Sequence, residues 1–137
     1  VLYDKTHAES EISLAAREIR VLEETGDLFD VSFEADAAAN VSFEIEVRGH
    51  LVSCNVVDET VSFMDRTATL RAIDGRIRVR LLIDRTSLEI FGNDGEVSMS
   101  FCFLPEAADW SLALHGGDAG ARIRDLTVRT LRSSWRV

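Results

Sequence analysis

From Leu28 onward, hydrophobic residues recur at every second position, the spacing that puts side chains alternately on the two faces of an extended strand. Phe29, Val31, Phe33 and Ala35 alternate with Asp30, Ser32, Glu34 and Asp36. Val41, Phe43, Ile45 and Val47 alternate with Ser42, Glu44, Glu46 and Arg48, and Gly49-His50 offers a turn into an extended segment from Leu51 to Val57. Taken in succession, these segments predict one hairpin after another. Ile77, Val79, Leu81 and Ile83 alternate with Arg76, Arg78 and Arg80, and Val97, Met99, Phe101 and Phe103 with Ser98, Ser100 and Cys102. Both stretches predict strands with one apolar and one wet face. Turn residues separate the segments at Asp74-Gly75, Asn93-Asp94-Gly95, Gly116-Gly117-Asp118 and Ala119-Gly120. The spacing predicts about ten short strands in an all-β fold, two antiparallel sheets packed as a β-sandwich of the jelly-roll or concanavalin-like kind.

The first 25 residues are ambiguous. Ile12, Ala16, Ile19 and Leu22 fit one face of a helix, while Ile12, Leu14 and Ala16, then Ile19 and Val21, fit strands. A strand joining the edge of the sandwich is the preferred reading, with the stretch before Glu11 as an exposed linker. Residues 1–25 are thus expected to be linker and edge strand, and residues 26–137 the sandwich module. Pro105 follows the apolar run 97–104 and marks a loop where a strand should stop.

Composition narrows the function classes. A chain of 137 residues with 46% hydrophobic residues is long enough for one domain with its own core. Fifteen Lys and Arg against 24 Asp and Glu leave a net charge of −9, which repels phosphate backbones and anionic headgroups, so no nucleic-acid or membrane partner is expected. Apolar runs are short, as in Leu81-Leu82-Ile83, and predict no transmembrane helix. No signal peptide is visible, and Val1 in place of methionine suggests a processed chain or a fragment. Compartment stays open.

The candidate chemistry is thin. Cys54 and Cys102 read as two buried free thiols, a disulfide between packed sheets being the alternative; without a Cys/His cluster, no metal or other cofactor is expected. His7, His50 and His115 are scattered and read as surface histidines. Glu44 and Glu46 share a strand face roughly 7 Å apart, and Glu34 or Asp36 on a neighbouring strand could join them. A retaining glycosidase needs two carboxyl groups about 5–5.5 Å apart, but alternating acids on an outer sheet face more simply keep it wet. Ser87, Ser98 and Ser100 lack a nucleophile-elbow frame, and the glycines at 116–120 lack the lysine and helix of a phosphate loop. Trp110, Trp135 and Tyr3 are the side chains best suited to stack on sugar rings, with core packing as the plainer role of both tryptophans.

The segment Arg80 to Leu104 is the informative one. One strand ends at Asp84-Arg85, a second carries Leu88, Glu89, Ile90 and Phe91, and Asn93-Asp94-Gly95 closes a hairpin onto Val97 to Leu104. Asp84, Arg85 and Glu89 are close enough in sequence to form an ion-pair or backbone hydrogen-bond cluster at the strand ends. The segment resembles the C-terminal β-sandwich module of glycoside hydrolase family 32, the invertase, levanase and inulinase family. Asp84, Arg85, Ser87, Glu89, Phe91, Asn93, Asp94 and Gly95 fall on its characteristic run. Phe63-Met64-Asp65-Arg66 and the stretch Leu126 to Trp135 resemble flanking strands of the same module, over roughly residues 26–137. Gly92 departs from the bulkier residue usual before Asn93, which questions local packing there.

The resemblance implies a chain without chemistry of its own. In that family a β-propeller carries the nucleophile in W-M-N-D-P-N-G, a stabilising aspartate in R-D-P and an acid/base glutamate in E-C, and none of these motifs occurs in this sequence. No catalytic residue is therefore assigned. The implied partner is the catalytic propeller of the same parent chain, a glycosidase acting on fructan or sucrose, with direct fructan or sucrose contact and homo-oligomer formation as further expectations. An independent carbohydrate-binding, lectin-like module is the alternative, and a self-sufficient glycosidase using Glu44 and Glu46 a weaker third.

Overall fold

A computed structural model describes residues 2–25, 28–104 and 111–132. Among these residues lie twelve strands: β1 (Leu2–Leu14), β2 (Ile19–Thr25), β3 (Phe29–Asp36), β4 (Ser42–Val47), β5 (His50–Asn55), β6 (Thr60–Phe63), β7 (Arg66–Thr69), β8 (Arg76–Ile83), β9 (Ser87–Gly92), β10 (Val97–Cys102), β11 (Ser111–His115) and β12 (Ala121–Arg132). They form two six-stranded sheets, the first in the order β1-β12-β3-β8-β9-β10 and the second in the order β2-β11-β4-β5-β6-β7. Neighbours in both sheets run antiparallel.

The period-two pattern becomes burial directly. Phe29, Val31, Leu81, Leu88 and Ile90 from the first sheet and Phe43, Ile45, Val52 and Leu112 from the second are buried in one core. Phe33 on β3 meets Phe43 on β4 edge-on across the sheet interface, ring centroids 5.7 Å apart at 71°, a geometry that the aromatic quadrupole favours. The chain does not run as one hairpin after another, however. β4-β5-β6-β7 and β8-β9-β10 are meanders, but β3 and β4 lie in opposite sheets, joined by the 3-10 turn Ala37–Ala39 and Asn40. Buried Asn40 holds this crossover: its amide donates to the carbonyls of Asp36 (2.8 Å) and Arg122 (3.1 Å) and its Oδ1 accepts from the Arg122 N–H (2.8 Å).

The first 25 residues also differ from expectation. The stretch before Glu11 is no linker: it is the outer half of β1, in register with β12 from Leu2 opposite Arg132 to Leu14 opposite Ala121. It escapes a pattern search because Lys5, Thr6, His7 and Ala8 are all exposed, so backbone pairing rather than core burial holds it. β2 pairs with β11 in the second sheet, with Leu22 buried and Ile19 and Val21 facing outward. The N-terminal segment thus supplies an edge strand to each sheet.

On the opposite side the edges β10 and β7 are tied together. Arg66, first residue of β7, donates from Nη1 to the Ser100 carbonyl on β10 (3.1 Å) and lays its guanidinium 4.8 Å from the Phe101 ring centroid, a charge-assisted bond with a cation–π contact. Cys54 is buried in the second sheet, whereas Cys102 is exposed on β10; both are free, so the expectation of two buried thiols holds for Cys54 alone. Phe101 and Phe103 point inward, and the strand period therefore sends Cys102 outward. Gly92 has a packing reason: a Cβ there would lie 2.6 Å from Leu70 Cδ1 and 3.2 Å from Val97 Cβ. Buried Leu70 fills the space that a larger residue at 92 would take. At Gly117, φ is +68° and a Cβ would lie 2.6 Å from the Ser42 carbonyl oxygen, so the turn before β12 admits only glycine without strain.

Candidate functional site

The hairpin between β9 and β10 is closed by Asn93 and Asp94, both at positive φ (50° and 59°), a region that Asn and Asp tolerate. Asn93 is buried and works as a clamp. Its Oδ1 accepts from the Arg78 N–H (3.1 Å) and its amide donates to the Arg71 carbonyl (2.6 Å), joining the hairpin to β8 and to the segment after β7. Asp94 is exposed and accepts from Arg78 Nη1 at 3.1 Å. Asp84 Oδ1 accepts from the Arg85 N–H (2.6 Å), and its own N–H donates to the Ser87 carbonyl (2.9 Å), shaping the β8-β9 turn. Glu89 stands opposite Leu82 and Ser100 on the outer face. The motif residues thus divide between two ends of one strand, with Phe91, Asp94 and Gly95 at the far end.

That end opens on a groove. A cavity of about 450 Å³ lies on the outer face of the first sheet, lined by Ser32, Phe33, Glu34, Arg78, Val79, Arg80, Leu82, Phe91, Asp94, Gly95 and Asp125. Strand register explains the lining, since Thr127, Ser32, Arg80, Phe91 and Ser98 form one cross-strand row over β12, β3, β8, β9 and β10. Asp125 enters from an irregularity in β12, where the pairing with β3 shifts between Arg124 and Thr127 and its φ is 50°.

Ion pairs run through and beside the groove, where Glu34, Arg78, Arg80 and Asp94 line it and their partners Asp30, Asp36, Arg76 and Arg124 flank it on the same sheet. Arg80 donates two bonds to Asp30, Nε to Oδ1 at 2.9 Å and Nη2 to Oδ2 at 2.8 Å, and Asp30 is only 2% exposed. Arg78 Nε donates to Glu34 at 3.1 Å. Asp36 accepts from Arg76 Nε (3.1 Å) and Arg124 Nη1 (2.9 Å). The Arg124 hydrogen bond, against some desolvation, and the Arg124 and Arg76 charges hold the Asp36 carboxyl below the usual carboxylate range. At Glu34, partial burial opposes ionisation, but hydrogen bonds to Arg78 and Asp125 with the Arg78 and Arg76 charges also bring its carboxyl below that range.

Other candidate residues are dispersed. Glu44 and Glu46 lie on the outer face of the second sheet, where Glu44 accepts from Ser53 Oγ (2.9 Å) and Glu46 from His115 Nε2 (3.0 Å). Glu34 and Asp36 do not join them: β3 and β4 are in opposite sheets, so equal strand parity sends their acids to opposite outer surfaces. His7 pairs with Glu9 on β1 (2.9 Å), and His50 donates to the Leu104 carbonyl (2.9 Å) beside Phe63 and Phe103. Tyr3 stands on β1 opposite Leu131, while Trp110 and Trp135 lie outside the described residues. The sequence reading passed over Ser32, Leu82 and Asp125. The alternation of Arg76, Arg78 and Arg80 against Asp36, Glu34 and Asp30 was the available signal, once β8 and β3 are known to be neighbours.

Fold and site define a two-sheet antiparallel sandwich with a charged groove on one outer face. Its sequence matches the family model "Glycosyl hydrolases family 32 C terminal" over residues 2–130. The chain belongs to that family of C-terminal domains. A levanase of Bacillus subtilis (strain 168) is 33% identical over 69 residues, which cover 50% of this chain and 10% of that protein. Among solved structures, the exo-inulinase of Aspergillus awamori superposes with a TM-score of 0.70 at 18% identity, over 97% of this chain and 30% of that one. The fructofuranosidase of Schwanniomyces occidentalis gives 0.75 at 12% identity, over 96% and 34%. The chain therefore spans about a tenth of the curated relative and about a third of these solved structures.

Proposed function

We propose that this chain serves as the non-catalytic C-terminal sandwich module of a fructan- or sucrose-hydrolysing glycoside hydrolase, packing on and stabilising a catalytic β-propeller in the same parent protein. The observation that carries the reading is the family match over residues 2–130, in a chain that spans only about a third of the fructosidase structures it resembles. The carboxylates support it. Asp30, Glu34 and Asp36 are held by arginines, and Glu44 and Glu46 by Ser53 and His115, an arrangement suited to holding a surface together. Exposed Ile19, Val21, Met64 and Leu104 offer apolar surface for contact between domains.

The test is to compare the full parent enzyme with a version lacking these residues. The expected result is a lower melting temperature for the shortened enzyme, with restoration when the 137-residue chain is added in trans. Equal melting temperature and equal kcat/KM on levan, inulin and sucrose without the chain would refute a supporting role.

A further inference from the structure

Asn40-Val41-Ser42 has the N-x-S form that oligosaccharyltransferases modify, and it lies where the chain passes from one sheet to the other. We propose that Asn40 accepts an N-linked glycan only in the unfolded chain, and that a chain so modified cannot close the sandwich. Such a sequon ordinarily marks a surface loop, but Asn40 is only 6% exposed. Its amide nitrogen donates to the carbonyls of Asp36 (2.8 Å) and Arg122 (3.1 Å), and its Oδ1 accepts from the Arg122 N–H (2.8 Å). The other two residues of the sequon are held as well. The Val41 carbonyl accepts from the Val56 N–H (2.8 Å), and Ser42 pairs with Asn55 in the β4-β5 ladder with its carbonyl against Gly117. A transferase therefore finds no free acceptor segment in the folded chain.

Glycan transfer joins Asn40 Nδ2 to C1 of the first sugar of a lipid-linked oligosaccharyl diphosphate. The N–C1 bond forms, the C1–O bond to the diphosphate breaks, and one amide proton leaves with the lipid diphosphate. An unmodified amide has two N–H groups and the product only one, so the carbonyl of Asp36 or of Arg122 loses its donor. A buried carbonyl without a donor opposes closure of the crossover, and a residue packed this closely leaves no room for the saccharide. The order of synthesis favours modification in a chain exported past the transferase as it is made. Arg122 lies 82 positions after Asn40, so at roughly 5–20 residues per second the sequon waits about 4–16 s for its partner strand. Through that interval the clamp that would shield Asn40 does not exist. The proposal does not rest on the accessory role above, because every residue it uses belongs to this chain.

The experiment translates the 137-residue chain, behind a cleavable secretory signal, in vitro with endoplasmic-reticulum microsomes. The glycan is read as a gel shift reversed by peptide-N-glycosidase F. A single shifted species is expected, and after detergent release protease should digest it at least about tenfold faster than the unmodified chains of the same sample. Ser42→Ala removes the sequon and leaves the Asn40 amide, so it should abolish the shift and raise the protease-resistant fraction severalfold. Asn40→Gln should also abolish the shift yet remain protease-sensitive, which separates loss of the clamp from presence of the glycan. In a second arm, the purified folded chain is incubated with solubilised oligosaccharyltransferase and lipid-linked donor. It should stay unmodified under conditions that modify a peptide of residues 34–46. Absence of any shift in the nascent chain, modification of the folded chain, or modified chains as protease-resistant as unmodified ones would overturn the proposal. So would an Asn40→Gln chain as resistant as Ser42→Ala, which would show that the amide is not what holds the crossover.

Discussion

The two outer faces of the sandwich rest on inner faces of the same chemistry and have become different surfaces. On the first sheet, the long side chains of Arg76, Arg78 and Arg80 interleave with Asp36, Glu34 and Asp30 across the β8-β3 ladder, and a groove lies among them. On the second, one register row runs through Ile19, His115, Glu44, Ser53, Ser62 and Thr67, with mostly short side chains and exposed Ile19 at the rim. Core formation constrains only alternate residues. The intervening positions are free to build a charged cleft on one side and a flatter polar surface on the other.

The shared core should be the most sensitive point. Phe43→Ala removes a fully buried ring from the contact between the sheets and should destabilise by about 3–5 kcal/mol, measured by urea unfolding. Both outer surfaces should lose protection together, and loss confined to one sheet would show that the layers unfold separately.

Arg80→Ala should come next. It deprives the Asp30 carboxylate of a bidentate partner, and because the guanidinium is half exposed the effect should be about 2 kcal/mol rather than the full value for an enclosed pair. Asp30→Asn in the Arg80→Ala background should recover part of the loss. If the double variant is no better than Arg80→Ala, the carboxylate charge is not what destabilises.

The faces should also differ in acid. Glu34 and Asp36 ionise more readily in the folded chain than ordinary carboxylates. Their stabilising contribution is therefore complete above the unfolded pKa values and is lost as pH falls through the lower folded ones. Glu34→Gln with Asp36→Asn should flatten the fall in melting temperature below the ordinary carboxylate range. The smallest effect belongs to the second face: Ser53→Ala removes one hydrogen bond to the accessible Glu44 and should change stability by no more than about 0.5 kcal/mol.

What was legible in the sequence follows the same division. Phe29, Val31 and Phe33, and likewise Phe43, Ile45 and Val47, announced their strands because burial imposes period two. The outer half of β1 did not, since Lys5 to Ala8 lie beyond the core and pair through backbone groups that every residue possesses. Which strands are neighbours was also hidden. The spacing of Phe33 and Phe43 is compatible with a hairpin, and the crossover depends on Asn40 bonding Arg122, far along the chain. The motif from Asp84 to Gly95 identified the family, but only the register of β12, β3, β8 and β9 reveals that Phe91 shares a cavity with Asp125. That aspartate enters through a local irregularity that no alternation encodes.

The two thiols give the molecule an internal clock. Cys102 is open to solvent, whereas burial pushes the Cys54 thiol up to about 12 and keeps it out of reach of an alkylating reagent. Cys102 labelling reports reagent reactivity in the native state, and Cys54 labelling reports how often the second sheet parts from the first. Their ratio, followed by mass spectrometry over time, measures the opening free energy of the sandwich interior without denaturant.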